Sequence, residues 1–274
     1  MTTYQGGKQR IGKKIYEVIK LIEYDIYDCE KEYDSDTTDN TYISLPVYFE
    51  PFVGMGGVLR HFCNDNRNTK ACDINKDLII LWKELQKGWK PPKTCSEKKY
   101  NELRDSKHNS AERAFCGIVA SWGGNFFNNY RLKYQGKKDY MGEGYRSLMK
   151  IKPSIINTKF LQSKEYWKHN PKNITVYCDP PYKGNNLDQS GNGYFQDFDH
   201  DFFWDVMRKW STNNIVVISE STAPKDFKKI WSKECKLSTG GKKGVIKKFE
   251  DNLYIHKSIY DDLSKNTIKD LKLM

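Results

Sequence analysis

The 274-residue chain predicts an α/β fold: a mostly parallel sheet whose last strand is antiparallel, with a mainly helical module inserted part-way. Three observations carry this prediction. Short β-branched and apolar runs alternate with amphipathic stretches of helical spacing, the rhythm of βαβ units. That rhythm lapses between residues 88 and 172, which reads as an insertion. Near the end, Gly240-Gly241-Lys242-Lys243-Gly244 reads as a basic hairpin tip before a final strand at 252–256, and a late hairpin in an alternating sheet points to an antiparallel edge strand.

The elements follow in chain order. Tyr4-Gln5-Gly6-Gly7-Lys8 precedes an amphipathic helix marked by Ile11, Ile15, Val18, Ile19 and Ile22. Residues 28–40, rich in Asp, Ser and Thr, read as a solvated loop. A strand over 46–52 runs into Phe52-Val53-Gly54-Met55-Gly56-Gly57, and 58–62 begins a helix. Strand, glycine loop and helix form the layout that lets a nucleotide approach the backbone. The spacing departs from the dinucleotide fingerprint, because Leu59 occupies the third glycine's place, which argues against a pyrophosphate on the helix end. A second strand, 70–73, ends on Asp73, 17 residues after Gly56. An acid there can accept from ribose hydroxyls or cap the following helix, 74–85.

Within 88–172, residues 111–121 form an apolar helix with an Asn109…Glu112 start signal. From Tyr130 to Tyr140, four basic residues (Arg131, Lys133, Lys137, Lys138) face one acidic residue and are interleaved with three tyrosines, Tyr134 among them. Cations for phosphate and rings for bases are the mixture of a nucleic-acid surface. The sheet rhythm resumes at 174, with helices at 198–210 and 224–231 and a strand at 214–219.

Residues 174–182 read Ile-Thr-Val-Tyr-Cys-Asp-Pro-Pro-Tyr. A buried strand is stopped by two prolines that lack N–H donors. The residue before a proline is held extended, so Asp179 and Pro180 gain a stiff backbone. A carboxylate, a carbonyl and an aromatic ring therefore sit on a rigid loop at a strand's carboxyl end, where open α/β sheets carry their chemistry.

Composition bounds the rest. A formal net charge of +11 and 14% aromatic residues suit a polyanionic partner. Seven cysteines, an odd number without CxxC spacing, and five scattered histidines indicate neither a disulfide framework nor a zinc site, so no metal is expected. Cys72 and Cys178, inside apolar runs, read as core. Met1 to Lys8 holds no apolar run and no stretch reaches membrane-spanning length, so the expectation is a cytoplasmic, reducing compartment and no membrane partner.

Taken together, the motifs resemble the Dam-type family of adenine-specific DNA methyltransferases, which use S-adenosylmethionine. The likeness is carried by Tyr4-x-Gly6-Gly7-Lys8, Glu50-Pro51-Phe52-x-Gly54-x-Gly56, Asp73-Ile74-Asn75, Asp179-Pro180-Pro181-Tyr182, Phe198-Asp199-His200, Ile218-Ser219-Glu220 and Glu250-x-x-Leu253-Tyr254, in that order over nearly the whole chain. Trp122-Gly123-Gly124…Phe127 and Gly144-Tyr145-Arg146-Ser147-Leu148 look more like a phage and bacterial branch, so a GATC target is not assumed. Ser221 stands where an aromatic often follows Ser-Glu, and the 185–194 stretch is longer than usual.

The resemblance implies a Rossmann-like, S-adenosylmethionine-dependent methyltransferase sheet, with catalytic parts 1–87 and 173–274 and a DNA-recognition insertion 88–172. It implies methyl transfer to the N6 amine of a flipped-out adenine in double-stranded DNA, by a monomer or weak dimer. Asp179 and the Pro180 carbonyl would accept the amine's hydrogens and Tyr182 would stack on the base. The cofactor would lie against Tyr4, Lys8, Phe52, Gly54, Gly56, Asp73 and Asp179. DNA would be gripped by Tyr130, Arg131, Lys133, Tyr134, Lys137 and Lys138, with Lys242, Lys243, Lys247 and Lys248 adding phosphate contacts. Two other readings stay open: a catalytically inactive DNA-binding relative, and amino-methylation of cytosine.

Overall fold

The computed structural model describes residues 7–27, 45–65, 67–134, 136–182, 198–239 and 245–274. In chain order these form α1 (Gly12–Ile26), β1 (Tyr48–Glu50), α2 (Leu59–Phe62), β2 (Thr69–Asp73), α3 (Lys76–Gln86), α4 (Glu97–Asp105), α5 (Ala111–Val119), α6 (Tyr140–Ile151), β3 (Lys159–Gln162), β4 (Thr175–Cys178), α7 (His200–Trp210), β5 (Ile215–Glu220), β6 (Phe227–Thr239), β7 (Val245–His256), α8 (Lys257–Asp262) and α9 (Lys265–Leu273). The strands make one seven-stranded sheet in the order β3-β2-β1-β4-β5-β7-β6. Neighbours from β3 to β5 pair parallel, while β7 is antiparallel to both β5 and β6. The last strand is thus the reversed one, as expected, and β6 takes the outer edge beyond it.

Each central strand divides its side chains between two cores, because successive residues point to opposite faces. Tyr48, Ala71, Tyr177, Val217 and Leu253 join one cluster with residues of α1, α2, α3 and α5. Their neighbours Phe49, Cys72, Val176, Cys178, Val216 and Tyr254 join the other, with Phe203, Met207 and Trp210 of α7. Burial on both faces explains why these strands read as continuous apolar runs. Cys72 and Cys178 are fully buried, as their settings predicted.

Four expectations are corrected. The 224–231 stretch is not a helix; β6 begins at Phe227. A β-bulge between Lys229 and Trp231 shifts the strand's phase, so Phe227, Ile230 and Trp231 are all buried at 5% exposure. Their i, i+3, i+4 spacing imitates a helix, and pairing along β7 overrides it. The sheet also resumes before 174: β3, inside the 88–172 stretch, pairs parallel with β2 from Lys70↔Lys159 to Asp73↔Gln162. The helices of that stretch are tied to α3. Asp77 accepts from the Ser110 backbone N–H (2.8 Å) and pairs with Arg113. The α5 cap is Ser110 rather than Asn109, and the α3 cap is Asn75 rather than Asp73.

Candidate active site at the carboxyl ends of the strands

The strand order reverses between β1 and β4, and ligands of open α/β sheets bind outside the carboxyl ends at such a switch point. Two loops meet there. The loop after β1 turns through Gly54 and Gly56, with φ of 45° and 60°, values that suit glycine. It is held by Asp73 at the end of β2. Gly54 N–H donates to one carboxylate oxygen at 2.9 Å and Asn75 N–H to the other at 2.8 Å. Trp82 of α3 clamps the loop from beneath by donating to the Gly54 carbonyl at 3.0 Å. Burial lifts the Asp73 pKa to about 6, against the pull of those two N–H donors. A carboxylate keeps lone pairs beyond the two in use, so Asp73 fits a ribose diol as well as it fits its structural task.

The loop after β4 carries Asp179, Pro180 and Tyr182. Pro180 is buried, while Tyr182 and Asp179 are partly exposed. Lys8 reaches across from the N-terminal segment, which lies directly on the glycine loop. A Cβ on Gly57 would lie 2.9 Å from the Lys8 carbonyl carbon, and one on Gly12 would lie 2.1 Å from the Gly57 oxygen. Only glycines allow this approach. The Lys8 ammonium is 2.9 Å from Asp179 Oδ1, 3.0 Å from Asp251 Oδ2 and 2.7 Å from the Tyr182 hydroxyl. Tyr182 donates in turn to Asp251 Oδ1 at 2.8 Å.

The electrostatics follow from this packing. Burial lifts Asp179 to a pKa of about 7; Lys8 pulls it down, and Asp251 and Glu220 push it up. Burial would lower Lys8, but the carboxylates of Asp179 and Asp251 outweigh it and hold the ammonium above its ordinary value. Burial and the two carboxylates raise Tyr182. Glu50, closing β1, is raised by burial, with Tyr48 donating to it at 2.8 Å. On the other side of the loop, the Phe52 ring lies 5.0 Å from Tyr166, 5.9 Å from Phe198 and 6.0 Å from Phe203, an aromatic wall.

The structure thus brings together Lys8, Phe52, Gly54, Gly56, Asp73, Asp179, Pro180 and Tyr182 around the switch point at the carboxyl ends of β1 and β4. Asp251 was missed, although it lies inside the quoted Glu250-x-x-Leu253-Tyr254 pattern; its signal was a carboxylate beside a strand end. Tyr4, Lys242 and Lys243 lie outside the described residues, as do the side chains of Tyr134, Lys247 and Lys248 and the whole of 185–194.

The expected DNA-contact residues of the 88–172 stretch are placed differently from one another. Arg131 is turned inward: it is 5% exposed, donates to the Val119 carbonyl at the end of α5 through Nε (3.0 Å) and Nη2 (2.8 Å), and stacks 3.7 Å from the Tyr140 ring centroid. A cation on the last carbonyls of a helix is a capping arrangement, and it leaves Arg131 unable to meet phosphate. Tyr130 donates to the Cys95 carbonyl at 2.8 Å. Lys133 pairs with Glu97 at 3.0 Å on the surface, Lys137 is exposed, and Lys138 lies 4.9 Å from the Tyr140 ring centroid. Trp122, 48% exposed, shares a shallow cleft of about 290 Å³ with Glu97, Asn129, Tyr130 and Lys133. Among the described residues no group of three or more His, Cys, Asp or Glu could hold a metal ion, and no helix is long and apolar enough to cross a membrane.

Comparison with known proteins adds the following. The sequence model of the D12 class N6 adenine-specific DNA methyltransferases matches residues 4–244. No curated protein matches the chain. Among solved structures, the glycopeptide N-methyltransferase MtfA is similar at 7% identity and a TM-score of 0.28, over 83% of this chain and 71% of that one. Its complex with (S)-adenosyl-L-methionine gives the same identity and score over 85% and 77%. Scores this low support no assignment.

Proposed function

From a chain that belongs to the D12 class N6 adenine-specific DNA methyltransferase family, we propose that the loop Asp179–Tyr182 is where the methyl group reaches adenine, the base having been flipped out of double-stranded DNA. The single observation that carries this reading is the convergence of Asp179, Lys8 and the Asp73-held glycine loop at one switch point. The methyl donor is S-adenosylmethionine, which supplies an activated methyl on a sulfonium. Asp73, Gly54, Gly56 and Phe52 would hold it, with Lys8 and Asp179 at its edge; Tyr4 belongs to the same expectation.

Adenine's exocyclic amine is a poor nucleophile, because its lone pair is delocalised into the ring. Asp179 and the Pro180 carbonyl both accept hydrogen bonds and neither donates, which is what an NH₂ group requires. Accepting from both amine hydrogens draws the lone pair toward the reacting face. The prolines keep the acceptors in place, so the gain is positional and electrostatic. Tyr182 and the Phe52–Phe198 wall supply faces on which an extruded base can stack. The adenine needs no covalent link to the protein and no cysteine is called on: the donor's sulfur would keep the electron pair of the broken S–C bond, and the methylated amine would shed one proton to water. The exposed cations Lys133, Lys137 and Lys138, with Trp122, form the duplex-facing surface. Arg131 braces it from within.

The test is transfer of tritiated methyl from S-adenosylmethionine to mixed-sequence duplex DNA, followed by nucleoside analysis. N6-methyladenine from the wild type, and a loss of at least about a hundredfold in Asp179→Ala with DNA binding retained, are expected. Near-normal turnover in Asp179→Ala would remove catalysis from this loop.

A further inference from the structure

Asp251 is a buried carboxylate beside Asp179 that has no part in the mechanism just given. Asp251 lies on β7, one position before the Asn252 that pairs with Glu220 of β5. Its side chain is 4% exposed, against 16% for Asp179. Both of its oxygens are engaged, Oδ1 by the Tyr182 hydroxyl at 2.8 Å and Oδ2 by the Lys8 ammonium at 3.0 Å. Lys8 in turn donates to Tyr182 at 2.7 Å, so Lys8, Tyr182 and Asp251 close a ring of three contacts. An ammonium has three hydrogens, and here it has three acceptors: Asp179, Asp251 and Tyr182. The ring joins three parts of the chain: the N-terminal segment, the loop after β4 and the reversed strand.

We propose that Asp251 is a positioning residue for amine methylation, fixing the Lys8 ammonium and the Tyr182 ring so that Asp179 alone of the two carboxylates faces the substrate. This rests on the reading of the Asp179 loop given above. Geometry assigns the two acids different tasks. Asp251 is sealed behind the ring and cannot reach a base, whereas Asp179 spends Oδ1 on Lys8 and keeps an exposed edge. Sharing one ammonium between two carboxylates also leaves Asp179 only partly compensated. Among the described residues, the charged and titratable groups facing it are Lys8 from the N-terminal segment, Asp251 from β7, Glu220 from β5, Glu50 from β1, Tyr177 and Cys178 from β4 and Tyr182 from its own loop. Among these Lys8 is the cation, so changing how Lys8 is shared changes the charge on Asp179.

The experiment compares the full-length wild type with Asp251→Asn, Asp251→Glu and Lys8→Met. Two readouts are used: the ¹³C NMR titration of the Asp179 carboxyl in the free protein, identified by its loss in Asp179→Asn, and the pH dependence of single-turnover methylation of mixed-sequence duplex DNA. In Asp251→Asn the Asp179 midpoint should fall by about one unit, and the acid limb of turnover should move down with it. In Lys8→Met both should rise. Turnover on the alkaline plateau should drop about tenfold in Asp251→Asn, because the ring is opened. Asp251→Glu keeps the charge and displaces it, so it should slow turnover while leaving the midpoint near that of the wild type. An Asp179 midpoint unmoved in both Asp251→Asn and Lys8→Met overturns the inference. So does a turnover loss uniform across pH that simply tracks lowered thermal stability. Midpoints that shift as stated in the variants, while the wild type transfers no methyl to adenine, would instead sink the reading of the site and leave the coupling intact.

Discussion

Two buried ion networks lie at opposite ends of the same sheet, and they are balanced differently. At the amino ends of the strands, Arg67 forks onto Glu23 with contacts of 2.8 and 2.7 Å, and Glu23 also accepts from Thr175 at the start of β4. Lys20 stands 3.4 Å from Glu23 and 3.6 Å from Asp65. Two cations therefore meet two carboxylates. At the carboxyl ends, among the described residues, one ammonium, Lys8, meets both Asp179 and Asp251; Glu50 and Glu220 are also buried nearby, with Arg60 acting on Glu50 and His200 4.0 Å from Glu220. Balance fits an architectural joint, where every charge is compensated. One ammonium divided between two buried carboxylates fits a working site, where Asp179 keeps a pKa well above its ordinary value.

The difference can be broken most forcefully at the balanced end. Arg67→Ala leaves Glu23 buried without its bidentate partner, which should cost about 3–5 kcal/mol of stability. Urea unfolding measures it, and turnover per folded molecule should stay near wild type. The unbalanced end should behave in the opposite way. Asp179→Asn should lose about 2.7–4 kcal/mol of transition-state stabilisation yet unfold at a higher temperature than the wild type at pH 8. A parallel loss of stability and rate in Asp179→Asn would erase the contrast between the two ends.

pH sharpens the same point. Asp179 is raised in the folded state to about 7 and Asp73 to about 6, from an unfolded value of about 3.9. Between about pH 4 and 7 the folded protein therefore binds more protons than the unfolded chain at these groups. Their contribution must fall as pH rises through that window. The melting-temperature advantage of Asp179→Asn should accordingly shrink toward pH 5. Turnover of the wild type should run the other way, declining below about pH 7 as the acceptor carboxylate takes up a proton. The smallest effect expected is that of Gly57→Ala, whose Cβ would press on the Lys8 backbone at 2.9 Å. A shift of the Lys8 segment should cost about 1–3 kcal/mol, read as reduced turnover with the Arg67–Glu23 joint intact.

Much of the site was legible because it is written in contiguous chemistry. The proline pair that ends β4 and the glycines after β1 each declare a local backbone task and lie where that task predicted; the acid ending β2 lies in place but holds the glycine loop instead of capping α3. The 88–172 stretch was less legible. Arg131 reads as a phosphate contact beside its basic neighbours, but a helix end with unpaired carbonyls claimed it first. β3 was invisible because four residues, with only Phe160 fully inside the core, make too short a pattern to stand out. The bulge in β6 made a strand look like a helix.

Sequence alone determined that a strand runs into a rigid Asp-Pro-Pro-Tyr loop, that a glycine loop precedes it, and in what order they come. It determined the likeness to adenine methyltransferases on those motifs. Only the tertiary structure decided who shares the Lys8 ammonium. Gly12 and Gly57 let the N-terminal segment settle on the glycine loop, and the reversal of β7 carries Asp251 to the same point. The physical reason is one of range: backbone stiffness is set by neighbours in the chain, whereas the charge a carboxylate carries is set by neighbours in space.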